Sequence, residues 1–120
     1  MNSYKDLIVY QKAVELSVAI YRATEEFPKS EIYGLTSQIR RCVVSIPSNI
    51  AEGQRRGSKK EYIQFLRIAF GSGAELETQL LISFKIGYMS EDQFNKLNDE
   101  LEQIMKMLNK LISVLTKTDD

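Results

Sequence analysis

The feature that most limits the fold is a run of apolar residues near the end of the chain, spaced alternately three and four apart. It comprises Phe94, Leu97, Leu101, Ile104, Leu108, Leu111 and Leu115. Because an α-helix turns once in about 3.6 residues, this spacing places all seven on one helical face. Asp99, Lys106, Lys110 and Lys117 fall on the opposite face. A long helix with one apolar side requires other helices to cover that side.

The segment before it has the same periodicity. Its apolar positions are Tyr62, Leu66, Ala69, Gly73, Leu76 and Leu80. A second apolar set, Phe65, Ile68, Ile82 and Ile86, lies on a different face. Residues 71–74, GSGA, are unfavourable inside a helix, so we expect another backbone to approach closely there.

Local signals mark the ends of these two helices. Ser58 with Glu61, and Ser90 with Gln93, have the spacing of capping boxes, in which each side chain bonds the other residue's backbone N–H. Gly87 is expected to end the earlier helix, since glycine readily adopts the left-handed conformation of a C-terminal cap.

The first helical segment, residues 6–27, carries two apolar stripes rotated far from each other. The first stripe is Leu7, Tyr10, Val14, Val18 and Tyr21, and the second is Val9, Ala13, Leu16, Ile20 and Ala23. A helix on the outside of a monomeric bundle needs only one such stripe. The surplus predicts that a neighbouring subunit covers the other.

The second helix begins near Leu35 and contains a proline. Its apolar stripe is Leu35, Ile39, Cys42, Ile46 and Ile50. The stripe continues past Pro47, which favours a kink over a break. Ser45 and Ser48 are candidates to bond the carbonyls that proline frees, and Gly53 and Gly57 are expected to bring the helix to its end. Cys42, on the core stripe, is expected to be a small buried side chain rather than a nucleophile.

No segment has the alternation of a β-strand. The predicted fold is therefore all-α: one domain over residues 1–120, folded as an antiparallel up-down-up-down four-helix bundle. No apolar run approaches the roughly 20 residues of a membrane span. The N-terminus also lacks the features of a secretory signal, so a cytoplasmic location without membrane contact is expected.

Composition excludes most catalytic chemistry. The chain has no histidine and a single cysteine, which removes Ser-His-Asp and Cys-His catalysis, cysteine-rich zinc sites and the Glu-x-x-His ligands of di-iron bundles. We therefore expect a protein that is not an enzyme, with no catalytic residues, no metal and no cofactor.

Charge is distributed unevenly although the net charge is zero. Residues 22–60 hold eight Lys/Arg against four Asp/Glu, a net of +4, and residues 91–120 hold four against seven, a net of −3. The candidate nucleic-acid-binding residues are Arg40, Arg41, Arg55, Arg56, Lys59 and Lys60. They are typical either of an ordinary solvated surface or of a patch that contacts phosphates, and the sequence leaves both interpretations open.

Several segments resemble a bacterial family of small four-helix proteins encoded by intervening sequences inside 23S ribosomal RNA genes, often labelled S23 ribosomal proteins. They are YGLTSQIRRCVVSIPSNIAEGQRR (33–56), KKEYIQFLRIAFGSGAELETQL (59–80), and DLIVYQKAVEL with FPK nearer the N-terminus. The resemblance covers essentially the whole chain, and SIPSNIAEG is its most specific part.

This resemblance implies a ring-like homopentamer. It also implies likeness to the accessory protein of diversity-generating retroelements, whose basic surface engages nucleic acid and a reverse transcriptase. The leading hypothesis is a non-enzymatic oligomer that binds RNA, or a nucleic-acid–protein complex, through the basic surface of the second helix and the following turn. The alternative is a scaffold whose oligomer docks a partner protein without nucleic acid.

Overall fold

The computed structural model describes residues 3–117, and this part of the chain contains four α-helices and no strand. They are α1 (Ile8–Thr24), α2 (Leu35–Arg55), α3 (Lys59–Lys85) and α4 (Glu91–Lys117). Each helix packs on its neighbours in sequence, and α1 closes the ring against α4. The bundle measures 49 × 23 × 21 Å. The predicted all-α four-helix bundle is confirmed. None of the described helices is long and apolar enough to cross a membrane.

The apolar seam of α4 forms one wall of the core. Leu97, Leu101, Ile104 and Leu108 are buried, as predicted. Near the end of the helix the buried residue is Ile112, whereas the predicted core residues Leu111 and Leu115 are only partly buried. A straight helix of 3.6 residues per turn drifts against a 3.5-residue repeat, so the core-facing position moves along the sequence.

The first helix is shorter than predicted. Residues 4–6 form a 3-10 turn and Leu7 is extended, so α1 starts at Ile8. Ser3 caps the turn by accepting a hydrogen bond from the Lys5 N–H at 3.1 Å. At the other end the helix stops at Thr24, and Phe27 packs against Tyr88 in the connection between α3 and α4.

The two stripes of α1 have different environments. The second stripe supplies the core, with Val9, Ala13, Leu16 and Ile20 buried. Leu7 and Tyr10 of the first stripe pack partly against the core. Its later members face outward: Val14, Val18 and Tyr21 are 38%, 45% and 43% exposed. The core of the bundle therefore covers the second stripe but leaves the later part of the first stripe uncovered.

Helix α2 continues through Pro47 without interruption, as predicted. The carbonyl of Val43, which proline deprives of its usual partner, lies 3.4 Å from the hydroxyl oxygen of Ser17 in α1. Ser45 instead bonds Ser72 of α3 at 2.8 Å, and Ser48 is exposed. Neither serine bonds the freed carbonyl, so the prediction that Ser45 and Ser48 satisfy it was wrong. The nearby Ser17 hydroxyl lies closer to the Ala13 carbonyl, at 2.8 Å, than to that of Val43.

The two glycines near the end of α2 have separate roles. Gly57 adopts φ +87° and lies just past the end of the helix, as predicted. Gly53 lies inside the helix and is buried, so its predicted role in ending the helix was wrong. A Cβ added at Gly53 would lie 2.6 Å from the Cβ of Phe65 and 3.3 Å from the Tyr62 carbonyl oxygen. Gly53 thus permits close packing of α2 on α3.

The helix ends in the second half of the chain largely follow the predicted caps. Ser90 and Gln93 bond reciprocally at 3.1 and 3.3 Å. The Glu61 N–H donates to the Ser58 hydroxyl at 3.1 Å, and this hydroxyl donates to the Glu61 carboxylate at 3.2 Å. In a full capping box the Glu61 carboxylate would instead accept from the Ser58 backbone N–H. Gly87 has φ +87° and ends α3.

The glycines of the GSGA segment in α3 differ in their surroundings. A Cβ at Gly73 would overlap the sulfur of Met105 in α4. The group that approaches Gly73 is therefore a side chain, and not the backbone that we expected. Gly71 has nothing within 4 Å of its Cβ position. Of these two glycines, only Gly73 has a neighbouring side chain at its Cβ position.

Candidate nucleic-acid interface

The α2–α3 turn concentrates four of the six candidate residues at one end of the bundle. Because Gly57 takes a left-handed conformation, α2 ends at Arg55 and α3 begins at Lys59 after only three connecting residues. Arg55, Arg56, Lys59 and Lys60 are all exposed. We refer to these four residues as the basic corner. The first turn of α3 adds the positive end of a 27-residue helix.

Arg56 is the member of the basic corner most engaged within the chain. Its guanidinium lies 2.9 Å from the Glu52 carboxylate and 3.8 Å from that of Glu61, and it sits over the Phe65 ring. Ion pairs this exposed contribute only about 0–1 kcal/mol. Arg56 can therefore exchange a carboxylate for a phosphate at small cost.

Arg55 is oriented by an aromatic contact that the sequence did not indicate. Its guanidinium lies 5.3 Å from the centre of the Tyr4 ring. Together with Ser48 and Glu52, these residues line an open groove of about 530 Å³. No periodicity could have linked Tyr4 to Arg55, because the contact depends on how the N-terminal turn folds back on the end of α2.

Arg41 shares the exposed face of α2 with Arg55. Fourteen residues separate them, which corresponds to about 21 Å along the helix. Val44, Ser48 and Glu52 lie between them on this face and are also exposed. Among residues 3–117, neither Arg41 nor Lys60 has a carboxylate within ion-pair distance.

Arg40 is directed elsewhere. Its Nε donates to the Thr24 hydroxyl at 2.9 Å and its Nη2 to the Tyr21 carbonyl at 3.2 Å. The guanidinium also lies 4.7 Å from the centre of the Tyr21 ring. Arg40 therefore fastens the end of α1 to α2, and the structure does not place it beside Arg41 on the outward face.

Cys42 is buried, as predicted. Its thiol donates to the Ser72 carbonyl at 3.0 Å. Burial, followed by the negative charge of Glu75, raises the pKa of the Cys42 thiol to about 12. A thiol at this pKa has almost no thiolate at neutral pH and is a poor nucleophile.

We expect Cys42 to be alkylated by iodoacetamide at least about tenfold more slowly in the folded protein than in urea at pH 8, since both burial and the raised pKa suppress the thiolate. The pKa of this thiol is raised from the ordinary value of 9.0 to about 12 on folding. Its contribution to the free energy of unfolding is therefore fully present below pH 9 and is lost as the pH rises towards about 12. Mass spectrometry of timed samples measures the rates. Equal rates in the two states would contradict the assignment.

Glu31 is a polar residue that the sequence did not single out. Its carboxylate accepts hydrogen bonds from the Leu35 N–H at 3.0 Å and from the Tyr88 hydroxyl at 2.8 Å. These bonds lower the pKa of Glu31, and the bond to Glu31 raises the pKa of Tyr88. The arrangement ties the start of α2 to the α3–α4 connection, which is a structural role.

Among the described residues no group of three or more His, Cys, Asp or Glu could hold a metal ion.

The fold and this surface define a small four-helix bundle protein with a basic corner. The chain belongs to the 23S rRNA-intervening sequence protein family, whose model matches residues 5–110. It is similar to a crystal structure of a protein with unknown function from the S23 ribosomal protein family of Bacteroides thetaiotaomicron VPI-5482. The TM-score is 0.79 and the identity 27%, over 88% of this chain and 98% of the other. No curated protein matches the sequence. The family expected from the sequence is confirmed.

Proposed function

We propose that the protein is a non-enzymatic, oligomeric RNA-binding protein that uses the basic corner and Arg41 to contact phosphates. The observation that carries this proposal is the clustering of four exposed cations within residues 55–60 at the N-terminal end of α3. The family's association with 23S rRNA-intervening sequences favours RNA as the nucleic acid. The RNA is bound alone or as part of a nucleic-acid–protein complex.

The mechanism is neutralisation of backbone charge. Arginine offers forked donors that match phosphate oxygens, and lysine contributes a compact charge. Each phosphate contact releases counterions, so affinity falls as salt rises. Such contacts position the RNA without reading its sequence. Because the net charge of the chain is zero, the attraction for RNA comes from this local surface and not from the protein as a whole.

The test compares two double variants that remove the same charge. Arg55→Ala with Lys60→Ala alters the proposed surface, and Lys106→Ala with Lys110→Ala alters the exposed side of α4. We expect the first pair to weaken binding of a 23S rRNA fragment by about tenfold or more, since charged hydrogen bonds contribute about 1.5–3 kcal/mol each before screening. The control pair is expected to change affinity less than about twofold. Fluorescence anisotropy measures both, and equal losses would contradict the proposal.

We propose further that copies of this chain associate through an apolar groove between α1 and α2. Val14, Val18, Tyr21 and Val44 line this groove, which has a volume of about 460 Å³. Arg22 and Glu25 lie on its lining as well. A ring of five copies joins this groove to a different surface of the next copy, because a contact between two identical patches closes as a dimer. The homopentamer implied by the sequence resemblance is the expected assembly.

A second candidate function, docking of a partner protein without nucleic acid, is favoured by another surface. Ile68, Ile82 and Ile86 on α3 are 49%, 45% and 53% exposed. They lie outside both the core and the α1–α2 groove. An intact oligomer that fails to bind the rRNA fragment even at low salt would favour this scaffold over the RNA-binding proposal.

A further inference from the structure

A second polar cleft, distinct from the basic corner, lies between the N-terminal half of α2 and the middle of α3. Its volume is about 580 Å³. Its lining includes Tyr33, Gln38, Arg41, Ser45, Ser72 and Glu75. We refer to it as the Tyr33 cleft. It contains a cation, a carboxylate, an amide, several hydroxyls and an aromatic ring.

Tyr33 is the most exposed large apolar side chain on the described surface, at 95%. Its backbone is nevertheless held in place, because the Gly34 N–H donates to the Glu31 carbonyl at 2.9 Å and the Glu31 carboxylate caps the Leu35 N–H. A fixed backbone presents an uncovered ring to solvent. Such a ring contributes little to the core but offers a flat surface for stacking.

The remaining lining groups suit a nucleotide. Arg41 has no carboxylate partner among residues 3–117 and is available for a phosphate. Glu75 and Gln38 supply acceptors, and Gln38 also donors, for a base edge or a ribose hydroxyl. Ser45 and Ser72 bond each other at 2.8 Å, so their positions on the cleft wall are fixed.

We propose that the Tyr33 cleft holds one unpaired RNA nucleotide, with its base stacked on Tyr33 and its phosphate on Arg41. This inference rests on the proposed RNA-binding function and names the form of RNA bound. Bases inside a duplex are already stacked on both faces, whereas unpaired bases are free to stack on aromatic side chains. The cleft therefore selects single-stranded segments, loops or bulges.

The placement of Arg41 connects the cleft to the basic corner. The distance of about 21 Å from Arg41 to Arg55 along α2 corresponds to about six nucleotides at the spacing of about 3.4 Å found along one strand of a DNA duplex, and to fewer when an unpaired strand is extended. An unpaired strand of about ten nucleotides is therefore long enough to reach both sites.

The experiment uses the absence of tryptophan from the chain. A Tyr33→Trp variant places a single indole at the cleft, and stacking on a base quenches its emission. We expect a single-stranded RNA of ten nucleotides to quench this emission and a duplex of the same sequence not to do so. Tyr33→Ala is expected to weaken single-strand binding about tenfold, because stacking contributes about 1–3 kcal/mol per base. Duplex binding changes less than about twofold, and Tyr33→Phe retains wild-type affinity.

The outcomes separate this inference from the function on which it rests. If single-stranded RNA binds and Arg55→Ala with Lys60→Ala weakens it, but the indole emission is unchanged and Tyr33→Ala has no effect, the cleft proposal is overturned and RNA binding stands. Equal quenching by single strand and duplex also overturns it. If neither RNA binds the wild-type protein, both the proposed function and the cleft assignment fail.

Discussion

Replacing Gly53 by alanine is expected to destabilise the protein by about 1–3 kcal/mol, the usual cost of overpacking a core. The added Cβ would lie 2.6 Å from the Cβ of Phe65 and 3.3 Å from the Tyr62 carbonyl oxygen. Neither neighbour is the far end of a flexible side chain, so α2 and α3 must move apart. Contacts between these helices then loosen along their length.

The same replacement at Gly71 is expected to stabilise the protein by about 0.5–1 kcal/mol, because alanine favours a helix and nothing lies within 4 Å of its Cβ. Urea denaturation at one protein concentration compares the two variants, since the proposed assembly would make apparent stability depend on concentration. A Gly53→Ala protein as stable as Gly71→Ala would show that α2 and α3 do not pack as closely as described.

Replacing Val18 by aspartate is expected to convert the assembled protein to monomers. Val18 is 45% exposed and lies in the apolar groove between α1 and α2. If a second copy covers this groove, burying a carboxylate there costs several kcal/mol in lost hydration, which the neighbouring Arg22 offsets only in part. In an isolated chain the same carboxylate points to solvent, so the fold of the monomer is retained.

Ile82→Asp is the matched control, since Ile82 is also 45% exposed but lies on α3. Light scattering is expected to give a multiple of the 13.8 kDa chain mass for the wild type and for Ile82→Asp, and the chain mass alone for Val18→Asp. Circular dichroism checks that each variant stays helical. An intact Val18→Asp oligomer with a monomeric Ile82→Asp protein would place the interface on α3 instead.

Features that depend on short-range spacing could be predicted from the sequence. The 3-4 spacing of apolar residues predicted the four helices and most of the core, including the unbroken stripe through Pro47. Ser90 with Gln93, and Gly87, marked helix ends by local chemistry alone. Each of these signals involves residues within a turn or two of one another, where helical geometry is fixed.

Features that depend on which helix lies beside which could not be predicted. Arg40 and Arg41 are adjacent, yet one is held by α1 and the other lines the cleft beside α3. Ser17 reaches the carbonyl freed by Pro47 only because α1 packs on α2 there. Tyr33 lies outside any periodic stripe, so the sequence pattern did not predict its exposure, which is seen only in the folded structure.

The most direct test of the account is the dependence of RNA affinity on salt, measured for the wild type and for the variant with Arg55→Ala and Lys60→Ala. A plot of log K against log salt concentration has a slope of about −0.7 to −0.9 for each phosphate contact. We expect the variant's slope to be shallower by about one to two units, since two contacts are removed. Parallel plots for the two proteins would show that the basic corner does not contact phosphates, in contradiction of the proposed function.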